Sequence, residues 1–230
     1  MGSLIVPAKL EPQKMDPLRF AIAAIPLAVY LLVIAVLNLR QRPFVTTGSR
    51  DLATLAVGIL GLMVIGPFEL FLPEAAAIRF GPLVWIVLLI FYGLCVSMVV
   101  LLMRPRLVIY NSTVEQLRPI ISEISQSMDQ KSRWTGDSLV IPSRKIHFHL
   151  ESVDWMNNVQ IISSGTKQSY EGWRELEKRL NDSVQAVKLR PNVTGIAFAI
   201  AGAVLMLAAI GWLIVDRQSA AVAFDEILRR

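Results

Sequence analysis

The sequence predicts an α-helical multi-pass membrane protein with four transmembrane helices and a small α+β two-layer soluble domain inserted between helices 3 and 4. The first observation is composition, because 54% of the 230 residues are hydrophobic and the mean hydropathy is +0.53. Such a chain is too apolar for a soluble protein of this length. The second is distribution, because the apolar residues form four long blocks and the only long polar region, residues 104–190, lies between two of them.

Each apolar block is long enough to cross a bilayer as a helix, which takes roughly 20 mainly apolar residues. The blocks occupy residues 20–39, 52–72, 83–103 and 193–215. The chain is therefore expected to divide into an N-terminal tail (1–19), a three-helix transmembrane region (20–103), a soluble α+β domain (104–191), a fourth transmembrane helix (192–215) and a C-terminal tail (216–230). The single cysteine, Cys95, lies inside the third block, so no intramolecular disulfide can form.

The polar region shows strand and helix patterns in the order strand, helix, three strands, helix. Helical periodicity follows a capping-box spacing at 112–115 and returns from Ser169 to residue 187. Residues 134–137 are expected to form a turn because they contain Thr-Gly-Asp. The predicted strands are residues 107–110, 139–141, 145–151 and 159–162. Two amphipathic helices over one face of such a sheet give a two-layer α+β domain.

Three polar residues on one predicted strand are the only candidates for a metal site. His147, His149 and Glu151 alternate with apolar residues, so their side chains project from the same face. Imidazole and carboxylate groups are common ligands, but a catalytic site needs about three protein ligands and a structural site usually four, held by further partners. No second cluster completes the set, so a solvated strand face is the preferred interpretation, and metal binding remains the alternative.

Two further features lie within the apolar blocks. Glu69 is a carboxylate inside the second block, and intramembrane acids often mark ion or proton paths. The simpler interpretation is a side chain that reaches the membrane interface, toward Arg79. Gly195, Ala199 and Ala203 follow one another at four-residue spacing, which predicts a small-residue face for close helix packing.

The sequence carries no catalytic, cofactor, phosphate-binding or nucleic-acid motif. We therefore expect an integral membrane accessory, assembly or scaffold protein, not an enzyme, whose soluble domain docks on other membrane or cytosolic proteins. Its other partners are the lipid bilayer and a further copy of the chain, without cofactor or nucleic acid. The alternatives are a small oligomeric transporter or channel component that uses Glu69, and a metal-binding membrane enzyme that uses His147, His149 and Glu151.

The distribution of basic residues predicts the orientation in the membrane. The 23 Lys and Arg residues lie mainly on one side, in the 40–50 connection and in the polar region. The other side receives Lys9, Lys14, Arg19, Arg79, Arg217, Arg229 and Arg230. Because the richer side faces the cytoplasm, the domain is expected in the cytoplasm and both termini outside, with the plasma (inner) membrane as the location.

This orientation predicts which positions react with an impermeant thiol reagent in intact cells. In a Cys95→Ser background, a cysteine introduced as Ser164→Cys is expected to stay protected, because residue 164 belongs to the cytoplasmic domain. A cysteine introduced as Ser219→Cys is expected to react. Labelling of Ser164→Cys in intact cells would place the domain outside the cell.

Overall fold

The structure, a computed structural model, describes residues 16–68, 70, 79–81, 83–153, 156–165, 168–185 and 192–229, with the backbone alone of 225–229. The helices are α1 (Pro17–Leu39), α2 (Gly48–Met63), α3 (Leu83–Leu102), α4 (Val114–Met128), α5 (Tyr170–Val184), α6 (Thr194–Val215) and α7 (Arg217–Arg229). The strands are β1 (Phe44–Thr47), β2 (Arg106–Tyr110), β3 (Arg133–Thr135), β4 (Ser138–Ile141), β5 (Ile146–Val153) and β6 (Asn158–Ser163). The four long apolar helices and a mixed helix and sheet region agree with the predicted fold class.

Among the residues that the structure describes, four helices are long and apolar enough to cross a membrane. They are Pro17–Leu39, Gly48–Phe68, Leu83–Leu102 and Thr194–Val215. The second includes a π-helical turn, Val64–Phe68, that follows α2 and contains Pro67. Proline lacks the N–H group that a regular helix needs at this point, so the turn accommodates the residue without ending the helix. Glu69 lies outside the described residues.

Helix α1 is the centre of the bundle, because α2 and α6 both pack against it in antiparallel directions. Glycines make these close approaches possible. A Cβ atom on Gly58 of α2 would lie 2.7 Å from Tyr30 Cβ, and one on Gly61 would overlap the backbone of Ile22. Helix α3 packs loosely by comparison, and none of its residues is buried. Its Tyr92 hydroxyl donates a hydrogen bond of 2.8 Å to the carbonyl of Ala56.

The seam between α1 and α6 is filled by small residues at seven-residue spacing. Gly195, Gly202 and Ala209 are the buried residues of α6. The opposing buried residues of α1 include Ala21, Ala28 and Ala35. Of the face predicted from four-residue spacing, Gly195 lies in this seam and Ala199 is half-buried, whereas Ala203 is exposed. Helix geometry explains the spacing seen in the seam, because 3.6 residues per turn return a side chain to one face after seven residues more closely than after eight.

All six strands form one antiparallel sheet in the order β1-β2-β6-β5-β4-β3. β1 belongs to the connection between α1 and α2 and was not predicted as a strand. It pairs with β2 in the register Phe44 with Tyr110 through Thr47 with Leu107. The sheet therefore extends beyond the predicted 104–191 domain and includes a segment from the predicted three-helix region.

Two other local predictions change. Residues 134 and 135 belong to strand β3, so the turn is confined to Gly136 and Asp137. Gly136 has a φ of +62°, which glycine adopts without steric cost. The predicted C-terminal tail contains helix α7, which packs against α1 and buries Ala223 while Val222 and Phe224 stay exposed. An exposed apolar side on a short amphipathic helix is typical of an interfacial helix.

The hydrophobic core of the domain lies between the sheet and the helices α4 and α5. Its buried residues are Leu107, Ile109, Leu117, Ile121, Ile124, Met128, Leu139, Ile141, Ile146, Phe148, Leu150, Val159, Ile161, Trp173, Leu176, Leu180 and Val184. Alternate residues of each strand supply this face, which is the expected pattern for a sheet covered on one side. This region is thus a mixture of helices and sheet, and Trp173 lies in its core. Trp155 lies outside the described residues.

The opposite sheet face packs in part on the helix bundle. Val108 and Tyr110 of β2 form a second buried cluster with Ile34 of α1. Hydrogen bonds also connect the domain to the bundle. Asn111 Nδ2 donates to the carbonyl of Arg40 at 2.7 Å. Asn192 Nδ2 likewise donates to the carbonyl of Met156 at 2.9 Å. The domain and the bundle therefore form one packed unit.

The α1–α6 seam generates a prediction about substitution at two glycines of one helix. Gly202→Ile places atoms where Leu32 and the carbonyl of Ala28 already lie, at 2.9 and 3.1 Å from the added Cβ. Overpacking of this kind costs about 1–3 kcal/mol, so the thermal midpoint in detergent is expected to fall. Gly211→Ile is the matched control, because no heavy atom of the described residues, apart from its chain neighbours and its own helix backbone, lies within 4 Å of the added Cβ. Equal midpoints for the two variants would contradict the seam.

Candidate functional site

A cleft lies where the domain meets the N-terminal end of α2 and the C-terminal end of α3. Its volume is about 650 Å³. The lining residues are Thr47, Ser49, Arg50, Met103, Arg104, Pro105, Arg106, Leu107, Gln168, Tyr170, Trp173, Arg174 and Glu177. These residues come from the β1–α2 junction, the α3–β2 junction and the first turns of α5, so pairing of β1 with β2 is what brings the three parts together.

The cleft is strongly basic. Four arginines line it, namely Arg50, Arg104, Arg106 and Arg174, against the single lining carboxylate of Glu177. Arg50 Nη1 lies 3.5 Å from Glu177 Oε1, which makes a solvent-exposed ion pair. Such pairs contribute little to stability, so the energetic consequence of the cluster is its positive potential.

Arg106 is held in place by an unusual close approach to Gly48. A Cβ atom on Gly48 would lie 2.8 Å from Arg106 Cδ and would overlap Cγ and Nε, so only glycine leaves room for the arginine stem. Arg106 Nη1 donates to Gln160 Oε1 at 3.4 Å. Its Nε atom is buried without a hydrogen-bond partner within the described chain. A buried donor of this kind carries an energetic cost unless a ligand or water accepts from it.

The first turn of α2 adds partial positive charge to the cleft. Thr47 is the N-cap, and its Oγ1 atom accepts a hydrogen bond of 3.4 Å from the backbone N–H of Arg50. The first backbone N–H groups of a helix lack partners within the helix, and the helix dipole is positive at this end. The N-terminal end of α2 and the four guanidinium groups therefore all favour a negatively charged ligand.

Aromatic and apolar side chains form the rest of the wall. Trp173 is 6% exposed and lies mainly in the core, and its Nε1 atom donates to Gln168 Oε1 at 3.1 Å. Tyr170 is 81% exposed. The last residues of α3, Leu101 and Leu102, are also exposed and immediately precede the lining residue Met103. The site thus combines a basic cleft with an apolar border.

The residues predicted as metal ligands lie elsewhere, on β5. His147 and Glu151 are exposed and His149 is half-buried on the sheet face that the helices do not cover. His149 Nδ1 lies 2.8 Å from Ser164 Oγ, within hydrogen-bond distance. Within the described ranges, no group of three or more His, Cys, Asp or Glu side chains is arranged to hold a metal ion. The strand alternation that places these residues on one face is confirmed.

The sequence pattern alone predicts a role in membrane orientation for the basic residues of the 40–50 connection and of the polar region. Arg50 belongs to that connection, and Arg104, Arg106 and Arg174 belong to the polar region. Their convergence depends on the β1–β2 pairing, which joins positions about 60 residues apart in the sequence. The Phe-Val-Thr-Thr run after Pro43 is β-prone and was the available indication of that pairing.

Comparison with models of protein families, with curated proteins and with solved structures finds no match to the chain. Its class is therefore defined by the structure alone. The described part of the chain combines four helices long and apolar enough to cross a membrane with a six-stranded antiparallel sheet.

A buried tyrosine, Tyr110, connects strand β2 to the start of helix α2 beside the cleft. The Tyr110 hydroxyl donates to Asp51 Oδ1 at 2.5 Å, and Tyr110 is 4% exposed. Burial, the hydrogen bond to Asp51 and the charge of that carboxylate together raise the pKa of Tyr110 above its ordinary range. The neutral hydroxyl therefore joins the strand to the start of α2 across the physiological pH range.

The hydrogen bond between Tyr110 and Asp51 predicts the effect of removing the tyrosine hydroxyl. Tyr110→Phe leaves the Asp51 carboxylate without this donor, which is expected to cost about 1–3 kcal/mol of stability. Since the folded pKa is raised, the stability that the tyrosine contributes is present below about pH 10 and is lost as pH rises above that value. Denaturation in detergent at neutral and alkaline pH measures both effects. Tyr170→Phe is the control, because that side chain is exposed, and a loss as large in the control would contradict the assignment.

Proposed function

We propose that the protein is an integral membrane accessory, assembly or scaffold protein whose α+β domain docks on other proteins. The observation that carries the proposal is the sheet shared between the α1–α2 connection and the polar region. A strand from the helix bundle is an integral part of the domain, so the domain cannot swing freely on two linkers. Such a unit presents a docking surface at a fixed height and angle above a membrane.

The orientation belongs to the same proposal. The four apolar helices insert in the membrane with the domain in the cytoplasm, and both termini are outside. The strength of the positive charge at the domain-side ends of α2 and α3 supports this arrangement, since basic residues favour the cytoplasmic side. The plasma (inner) membrane is the proposed location.

The docking surface is the uncovered part of the sheet. On this face β2 is covered by the bundle, whereas the corresponding residues of β4, β5 and β6 are open or half-buried. Val140 of β4 lies opposite His147, and Ile162 of β6 lies opposite His149. The surface therefore mixes aliphatic side chains with imidazole groups, a composition suited to a protein partner with both apolar and polar groups. The partner is another membrane or cytosolic protein.

The test is recovery of partner proteins with the full chain in mild detergent. Val140→Glu with Ile162→Glu places two carboxylates on the proposed surface at half-buried positions, so the fold is expected to tolerate them. Because a buried uncompensated charge weakens an interface strongly, recovery of the wild-type partners is expected to fall about tenfold or more. Quantitative mass spectrometry of the eluates measures the change.

The matched control places the same charges on the helical side of the domain. Gln126 and Gln130 are exposed there, so Gln126→Glu with Gln130→Glu changes net charge equally and is expected to retain the partners. If the partners survive the Val140 and Ile162 substitutions, or are lost equally in the control, the sheet face is not the docking surface.

A further inference from the structure

We propose that the arginine-lined cleft binds the phosphate-bearing headgroup of an anionic membrane lipid. The inference rests on the membrane insertion proposed above and is independent of the docking surface on the sheet. Its starting point is charge. Arg50, Arg104, Arg106 and Arg174 face one lining carboxylate, Glu177, which is already paired with Arg50. Guanidinium groups bind phosphate oxygens by paired hydrogen bonds, so they suit such a ligand better than a single carboxylate.

The size of the cleft and the Arg106 donor without a partner both indicate a ligand. A volume of about 650 Å³ lies within the range of small-molecule pockets and exceeds what a single inorganic ion fills. Arg106 Nε is buried without a partner within the described chain. Gly48 keeps the arginine at this place, because any larger residue would displace its side chain. A phosphate group in the cleft lies among the lining guanidinium groups and near the positive end of α2.

The surroundings favour a lipid over a soluble phosphate compound. The cleft lies between the domain-side ends of two helices that are long and apolar enough to cross a membrane. Leu101 and Leu102 are 84% and 77% exposed next to the cleft. Tyr170 is exposed at its border, a position where aromatic residues commonly meet the membrane interface. A headgroup in the cleft thus leaves the acyl chains beside the loosely packed pair α2 and α3.

The experiment uses the full chain in a non-ionic detergent, titrated with dioleoylphosphatidylglycerol and followed by native mass spectrometry. Dioleoylphosphatidylcholine is the matched zwitterionic lipid, and sodium phosphate at the same concentrations tests the headgroup chemistry alone. The wild type is expected to bind the anionic lipid about tenfold more tightly than the zwitterionic one. Each basic residue near an anionic lipid contributes roughly a factor of five in affinity, so Arg104→Gln with Arg174→Gln is expected to weaken binding about 30-fold.

Both substituted arginines are exposed, and the control removes two other exposed charges. Lys131→Gln with Arg133→Gln lies at the β3 edge, which is the opposite end of the sheet from β1. This control is expected to bind the lipid as the wild type does. Equal loss in the control, or unchanged binding in the Arg104 and Arg174 variant, overturns the site. Arg174→Gln alone, with about fivefold weaker binding expected, replaces the double variant if that variant does not fold.

The remaining outcomes distinguish a lipid headgroup from a soluble phosphate compound as the ligand. Displacement of the lipid by equimolar sodium phosphate would show a site for a soluble anion and would overturn the lipid proposal. Failure of membrane insertion is distinguished by fractionation, because the chain would then be recovered without membranes. Failure of the docking proposal is distinguished as well, because Val140→Glu with Ile162→Glu leaves the cleft intact.

Discussion

The pairing of β1 with β2 is the interaction on which the arrangement of this protein depends. It joins Phe44–Thr47, from the connection between two apolar helices, to Arg106–Tyr110, which follows a third. Backbone hydrogen bonds fix the register of the two segments, and one residue of slip would turn Val108 and Tyr110 away from the bundle. Tyr110 could then no longer reach Asp51 at the start of α2. The bundle and the domain thus share a structural element.

The same pairing creates the basic cleft. Arg104 and Arg106 follow α3, whereas Arg50 lies in the first turn of α2, and the two regions meet because β1 and β2 are neighbours. Helix α5 closes the third side with Arg174. Basic residues at helix ends usually serve to orient a membrane protein, and they can do so while also forming a site. The close packing of the Arg106 side chain against Gly48 is not needed to orient the protein in a membrane.

The bundle illustrates how close packing replaces hydrophobic burial between apolar helices. In lipid, helices are held together mainly by van der Waals contact and polar bonds, so small residues at the seam matter more than large apolar ones. Gly195, Gly202 and Ala209 of α6 meet the alanines of α1 in this way. The third apolar helix, α3, has no buried residue and holds to α2 through Tyr92. Most of its surface is consequently left uncovered by the rest of the described chain.

The sequence by itself determined the elements whose cause is local. Long apolar runs specify the four long helices of the described chain, and strict alternation places His147, His149 and Glu151 on one face of β5. Only the tertiary structure decided which distant segments meet. β1 is four residues long and becomes a strand because β2 supplies hydrogen-bond partners that its local sequence does not reveal. Likewise Ala203 is exposed and Gly202 is buried because the partner helix, not the composition of α6, selects the contact face.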